Sequence, residues 1–154
     1  MTDQTTTHEV HRTNLLALAH FLETEPAVRK HFNMATYFAV DNECGSVACA
    51  LGWAPIALGH EKQISESLYV ALDYDQYSKD HFDLYPINPE WDWLFGAEWV
   101  HIDNTPEGAA ARIRKFVKWD HNLPIDVQDF VDDVLLEEPE AKEAAAAYQR
   151  IMAE

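Results

Sequence analysis

Apolar positions recur with a helical period along most of this chain. Leu15, Leu18, Ala19 and Leu22 stand at i, i+3, i+4 and i+7, one face of a helix. Thr13 or Asn14 suits its N-cap, and Pro26 disfavours helix at Glu25 and marks its stop. Residues 1–12 are polar and read as a flexible N-terminus. Residues 31–40 are rich in aromatic and β-compatible side chains, so they read as a short extended segment or irregular turn. Phe32 and Met34, with Tyr37 or Phe38, are expected to be buried there.

Residues 61–75 are again helical in pattern, with Ile64, Leu68, Ala71 and Leu72 on one face. Residues 74–90 carry Tyr74, Tyr77, Tyr85, Pro86 and Pro89 among several acids and read as a loop, the preceding helix ending near Tyr77. Pro89 then opens a helix over Glu90 to Glu98, with Trp91, Leu94, Phe95 and Trp99 inward and Trp93 on another side. Thr105-Pro106-Glu107 is the clearest helix start: a cap, a proline at the first position, and an acid at the positive end of the dipole. That helix runs to about Trp119 with Ala109, Ile113, Phe116 and Val117 on one face. Pro124 opens the next. Val127, Phe130, Val131, Val134 and Leu135 form its apolar face, and Asp126, Asp129, Asp133 and Glu137 its outer stripe, with Asp132 beside it. Pro139 starts a last helix with Ala141, Ala144, Ala145, Tyr148 and Met152 available for packing.

One stretch departs from the amphipathic pattern. From Val47 to Leu58 nearly every position is apolar, and a helix apolar all round belongs at the centre of a domain. Ser46 is its expected N-cap, Pro55 kinks it or opens a second short helix, and Gly59 ends it. The pattern therefore predicts one all-α domain over residues 13–154. About five or six helices surround this buried central helix, with room for one short extended segment.

Composition supports a real core and adds one unusual property. The 154 residues are 47% hydrophobic, but 27 acids against 11 Lys and Arg leave a formal charge of −16. Such a field repels nucleic acid and anionic membranes and favours basic partners. Half of the net charge is concentrated between Asp120 and Glu143, where nine acids face one base, Lys142. No apolar run approaches the ~18 residues of a membrane span, and the N-terminus has no signal-peptide core. With two cysteines, the reducing cytoplasm is the expected setting. No phosphate-cradling glycine loop is present, and no cofactor is expected.

Three chemistries meet in residues 44–55. If Ser46 caps the helix, Cys44 and Cys49 flank the cap and become neighbours. Two buried structural thiols, or the same two joined as a disulfide or redox pair, are one reading. A cysteine-dependent enzyme using Cys44 or Cys49, with His101 or His121 as base, is a second. A zinc-stabilised structural module with Cys44, Cys49 and His60 as ligands is a third, although that spacing fits no common finger. Cys44-Gly45-Ser46 with Trp53-Ala54 downstream is similar to the nucleophile segment of papain-like peptidases, but Val47-Ala48 and Leu51-Gly52 are inserted relative to that pattern.

A broader likeness covers residues 30–117. The run Cys44 to Ala54 fits Cys-Gly-(Ser/Thr)-x-x-Cys-x-x-Gly-(Trp/His)-Ala. It is preceded by Phe32-Asn33-Met34 and followed by Leu94-Phe95-Gly96-Ala97-Glu98-Trp99, then Asn104-Thr105-Pro106 through Arg112-Ile113. In these pieces and their order the chain resembles a group of bacteriophage and bacterial proteins. The resemblance implies a phage-associated cytoplasmic protein and brings no catalytic role with it. The acidic region from Asp120 lies outside it.

The acidic stripe is the candidate binding site. Carboxylates at i, i+3, i+7 and i+11 make a line of negative charge with roughly one helical turn between members, comparable to phosphates along a nucleic-acid strand. Asp126, Asp129, Asp132, Asp133 and Glu137 are therefore expected to meet a basic host protein, one that itself handles nucleic acid. Arg112, Arg114, Lys115 and Lys118 form a basic cluster expected to pair internally with the acidic helix. The functional expectation is a non-enzymatic, acidic interaction protein that touches neither nucleic acid nor membrane directly.

Overall fold

The computed structural model describes residues 3–34, 39–41, 45–47, 49–60, 70–137 and 141–154. They form a single all-α body with one small strand pair. Helices α1 (Asp3–Thr24), α2 (Pro26–Lys30), α3 (Ala50–Ala57), α4 (Val70–Phe82), α5 (Pro89–Phe95), α6 (Pro106–Lys118), α7 (Ile125–Phe130) and α8 (Ala141–Ala153) follow in chain order. A 3-10 turn, Ala97–His101, follows α5, and a π-helical turn, Val131–Leu135, continues α7. Strands β1 (Ala39–Asp41) and β2 (Gly45–Val47) pair antiparallel, with Val40 opposite Ser46. No helix among the described residues is long and apolar enough to cross a membrane.

The most extensive packing is α1 against α6. Leu15, Leu18, Ala19 and Leu22 of α1 and Ala109, Ile113, Phe116 and Val117 of α6 are all buried, as their helical spacing predicts. Arg114 fastens the pair from outside through two 2.8 Å bonds to Glu23. Helix α1 begins at Asp3, about three turns before the expected Thr13 or Asn14. The polar spacing of residues 3–12 hides this because their helix has little apolar surface to bury.

The apolar stretch does form a buried hub. Cys49 to Pro55 are buried, and α3 touches α1, α4 and α5. Its start is three residues later than expected: Ser46 lies in β2, and the N-cap is Cys49, whose Sγ accepts from the Gly52 N–H at 3.4 Å. The helix runs through Pro55 to Ala57. Gly59 then takes φ +77°, the Gly59 N–H donates to Ile56 O, and the His60 N–H donates to Pro55 O, the paired bonds of a Schellman ending.

One loop expectation and one helix-face expectation are corrected. Helix α4 continues past Tyr77 to Phe82, and Tyr74, Tyr77, Ser78 and Phe82 are buried. Residues 61–69, with Ile64 and Leu68, lie outside the described residues. Trp93 is as buried as Trp91, Leu94 and Phe95, because α5 is covered on both faces and the Trp93 Nε1–H finds the Arg112 carbonyl at 3.1 Å. Met34 is buried as expected, whereas Phe32 is half-buried.

Two pieces of the motif series meet in space. The Met34 N–H donates to Asn104 Oδ1 at 2.7 Å, and Asn104 Nδ2 donates to Asn33 Oδ1 at 3.4 Å. Thr105 caps α6 through the Gly108 N–H at 3.0 Å and donates its own hydroxyl to Asp103 Oδ1. Gly108 leaves room for the Asp103 carboxylate, which a Cβ at that position would displace.

Candidate partner-binding groove

Each residue expected in the acidic site is exposed. Asp126 and Asp129 stand on α7, Asp132 and Asp133 on the π turn, and Glu137 just beyond it. The inward face is the predicted one except at Val134: Val127, Phe130, Val131 and Leu135 are buried, and Val134 is half-buried. The regular line of carboxylates is not kept. The Leu136 N–H bonds to Val131 O, an i to i+5 closure that widens the turn and moves the later acids off the α-helical line. Insertions of this kind are frequent at functional sites.

Tertiary packing adds what periodicity could not show. Helix α8 touches α7, and between them is a groove of about 350 Å³. Phe130, Val134, Ala147 and Ile151 form its apolar floor, and Asp126, Asp129, Asp133 and Glu154 its acidic rim. Arg150 is the basic residue among those lining it. Ile125, 77% exposed, and Leu136, 40% exposed, bracket the acidic run with apolar surface. The groove's second wall comes from the last helix, where no charge pattern marked Arg150 or Glu154 as partners of α7.

The electrostatics are dominated by unneutralised acid. The described ion pairs join Arg114 to Glu23, Arg29 to Glu107, Arg112 to Asp103 and His8 to Asp120, and none reaches the stripe. The expected pairing of the basic cluster with the acidic helix is therefore corrected, because α6 turns Arg114 toward α1 and Arg112 into the core. Asp92 stands behind the stripe, half-buried. Burial first, then the carboxylates of Glu98 and Asp132, push its carboxyl up to about 6. Sequence spacing does not reveal Asp92, since it belongs to a different helix.

The cysteine readings meet different surroundings. Cys49 is buried, and burial pushes its thiol up to about 11, outweighing the N–H groups of the helix start. That thiol stays protonated near neutral pH, the opposite of an activated nucleophile. His60, the third zinc candidate, has its Nδ1 2.8 Å from the Tyr77 hydroxyl. Among the described residues no three His, Cys, Asp or Glu side chains converge to hold a metal ion. Cys44 lies outside the described residues. His121, a candidate base, stacks on Phe116 with ring centres 5.0 Å apart.

The chain matches no family model, no curated protein and no solved structure.

Proposed function

We propose that this is a non-enzymatic acidic docking protein, phage-encoded and acting in the cytoplasm, that binds a basic surface of a host protein. In its concrete form it inhibits a defence or regulatory protein that handles nucleic acid. The carboxylates of Asp126, Asp129, Asp132, Asp133 and Glu137 occupy the cationic surface in place of phosphates, with no direct contact to nucleic acid. The observation that supports this reading is the groove between α7 and α8. Its acids are exposed and have no ion-pair partner among the described residues, yet they border an apolar floor and are flanked by exposed Ile125 and Leu136. Solubility alone requires charge and does not require apolar surface beside it. The resemblance of residues 30–117 to phage and bacterial proteins supports the assignment to a phage setting.

The test is capture from host lysate by the wild-type chain and by a variant with Asp126, Asp129 and Asp133 changed to Asn and Glu137 to Gln. A partner should be retained by the wild type at low salt, released steeply as salt rises, and lost by the variant at unchanged helicity. A partner held equally by both chains, or none at low salt, would overturn the reading.

A further inference from the structure

The groove between α7 and α8 has a shape and a surface that its charge alone does not require. Most of the surface facing it is apolar, although Asp126, Asp129, Asp133, Arg150 and Glu154 all line it. Phe130 and Ile151 are buried at its base, while Val134 and Ala147 line it half-buried. Ala147 puts only a methyl group into the space. Ile125 and Leu136, both exposed, stand at the two ends of the acidic run. Between them the chain advances roughly 16 Å, about three helical turns.

The walls restrict what can enter. Both are helical, so their backbone N–H and C=O groups bond along their own segments and offer no edge to an added strand. A third helix fits such a space. Its side chains three and four apart form a ridge that seats between two helices, about 8–10 Å from each axis.

Charge then selects among helices. Asp126, Asp129 and Asp133 stand on the α7 side, and none has an ion-pair partner among the described residues. On the α8 side Arg150 and Glu154 oppose each other in sign, so the lining as a whole is negative. A second copy of this chain, itself at −16, would bring like charge to that rim. An apolar helix without cations would strip water from the carboxylates and give nothing back. A cationic helix without apolar side chains would leave Val134 and Ala147 uncovered. An apolar stripe flanked by Lys or Arg satisfies both the floor and the rim.

We propose that the groove receives a basic amphipathic helix of a partner protein as a third helix beside α7 and α8. Two or three of its apolar side chains rest on Val134 and Ala147, and its Lys or Arg residues meet Asp126, Asp129 and Asp133. This rests on the reading of the acidic face as a partner-binding face and adds an apolar anchor, which imitation of phosphates alone does not need. Arg150 opposes the cations and moderates the affinity.

Amide NMR spectra of the full chain, titrated with three blocked helical peptides about 16 residues long, test it. The first is built of alanine and lysine with leucines at i, i+4 and i+7 along one face. The second has those leucines changed to alanine, which keeps the helix. The third keeps the leucines and has glutamate for every lysine. The first should give saturable shifts centred on Val134, Ala147 and Arg150, with Kd near or below about 100 μM in about 0.1 M salt. The second should bind at least tenfold more weakly, and the third not at all. In about 0.5 M salt the second should be lost while the first keeps measurable binding, because apolar contact is not screened. Val134→Thr and, independently, Ala147→Leu should each weaken the leucine-lysine peptide at least threefold at unchanged helicity, and Arg150→Gln should tighten it. Equal affinity for the leucine and alanine peptides, both lost when Asp126, Asp129 and Asp133 become Asn, would overturn this inference and leave the acidic docking face standing. No binding of either lysine peptide at low salt would overturn both. Shifts centred outside the groove, or tight binding of the glutamate peptide, would overturn the inference as well.

Discussion

The guanidinium carbon of Arg112 lies 4.0 Å from the centre of the Trp99 ring, and Arg112 has no exposed surface. Its Nη1 donates to the Tyr148 hydroxyl at 3.2 Å and stands 3.9 Å from Asp103 Oδ2. Trp93 packs edge-on against Trp99 at 5.4 Å, and Tyr148 lies 5.0 Å from Trp99. One cation thus ties α6, the 3-10 turn and α8 together inside an aromatic shell. Burial pulls its pKa down, and the Tyr148 and Asp103 contacts oppose that pull.

Arg112→Ala should therefore lower the unfolding free energy by about 3–5 kcal/mol, since it removes a buried ion-pair partner and opens a cavity. Arg112→Lys should recover only part of this, because an ammonium lacks the flat face that rests on Trp99. Urea unfolding followed by tryptophan fluorescence measures both. Wild-type stability in Arg112→Ala would show that the cluster is ornamental to the fold.

Asp92→Asn should stabilise the protein above pH 6 and leave it unchanged near pH 3.5. The folded carboxyl titrates at about 6 against an ordinary value of 3.8, so the folded state binds the proton more tightly than the unfolded chain. Stability therefore falls as pH rises from about 4 through 6, and the full penalty is present above that. For a half-buried group, the shift discounted for solvent screening gives about 1 kcal/mol. Thermal melts at pH 7.5 and 3.5 give the comparison. A gain at low pH and none at high pH would reverse the assigned sign.

In a Cys44→Ser background, Cys49 should react with a disulfide reagent at pH 8 at least a hundredfold more slowly in the native protein than in urea. The cause is burial, which both shields the sulfur and keeps it protonated. Rapid native-state labelling would return the cysteine-enzyme reading to the front.

Gly108→Ala should destabilise by about 1–3 kcal/mol even though alanine favours helices, because the new methyl collides with the Asp103 carboxylate. The Asp103 shift also disturbs the Thr105 cap and the contact to Arg112. Melts of Gly108→Ala, Asp103→Ala and the double variant separate the collision from the helix effect. The double variant should lose less than the two single changes added together.

Helical elements were legible wherever one face was apolar and the start carried a cap. Thr105-Pro106-Glu107 and the Leu15 to Leu22 face are the clearest cases, and both stand as read. The start of α3 was misread because serine is the better cap by composition. The strand pair takes Ser46, and Cys49 is left at the turn into the helix. The extension of α4 to Phe82 was hidden by tyrosines, whose burial depends on α1 and α3 packing against α4.

The candidate groove was half visible. Exposure of Asp126, Asp129, Asp132, Asp133 and Glu137 follows from their phase against Val127, Phe130, Val131 and Leu135, and local periodicity is enough to find that. The π turn, the apolar floor and the second wall from α8 depend on contacts between residues far apart in sequence.

By itself, then, the sequence determined the helical class, the core faces of α1, α6 and α7, and the concentration of negative charge after Asp120. These follow from spacing within one helix, where side chains three and four apart share a face. Only the tertiary structure decided which charges are neutralised. Arg112 and Lys118 belong to one basic run, yet Arg112 is fully buried and Lys118 is exposed. Their rotation about α6 places one against Trp99 and Tyr148 and the other in solvent. The same packing brings Asp83, Glu90, His8 and His121, residues from four separate places in the chain, around one cavity. No local pattern encodes that meeting, because it exists only once α1 is laid along α6.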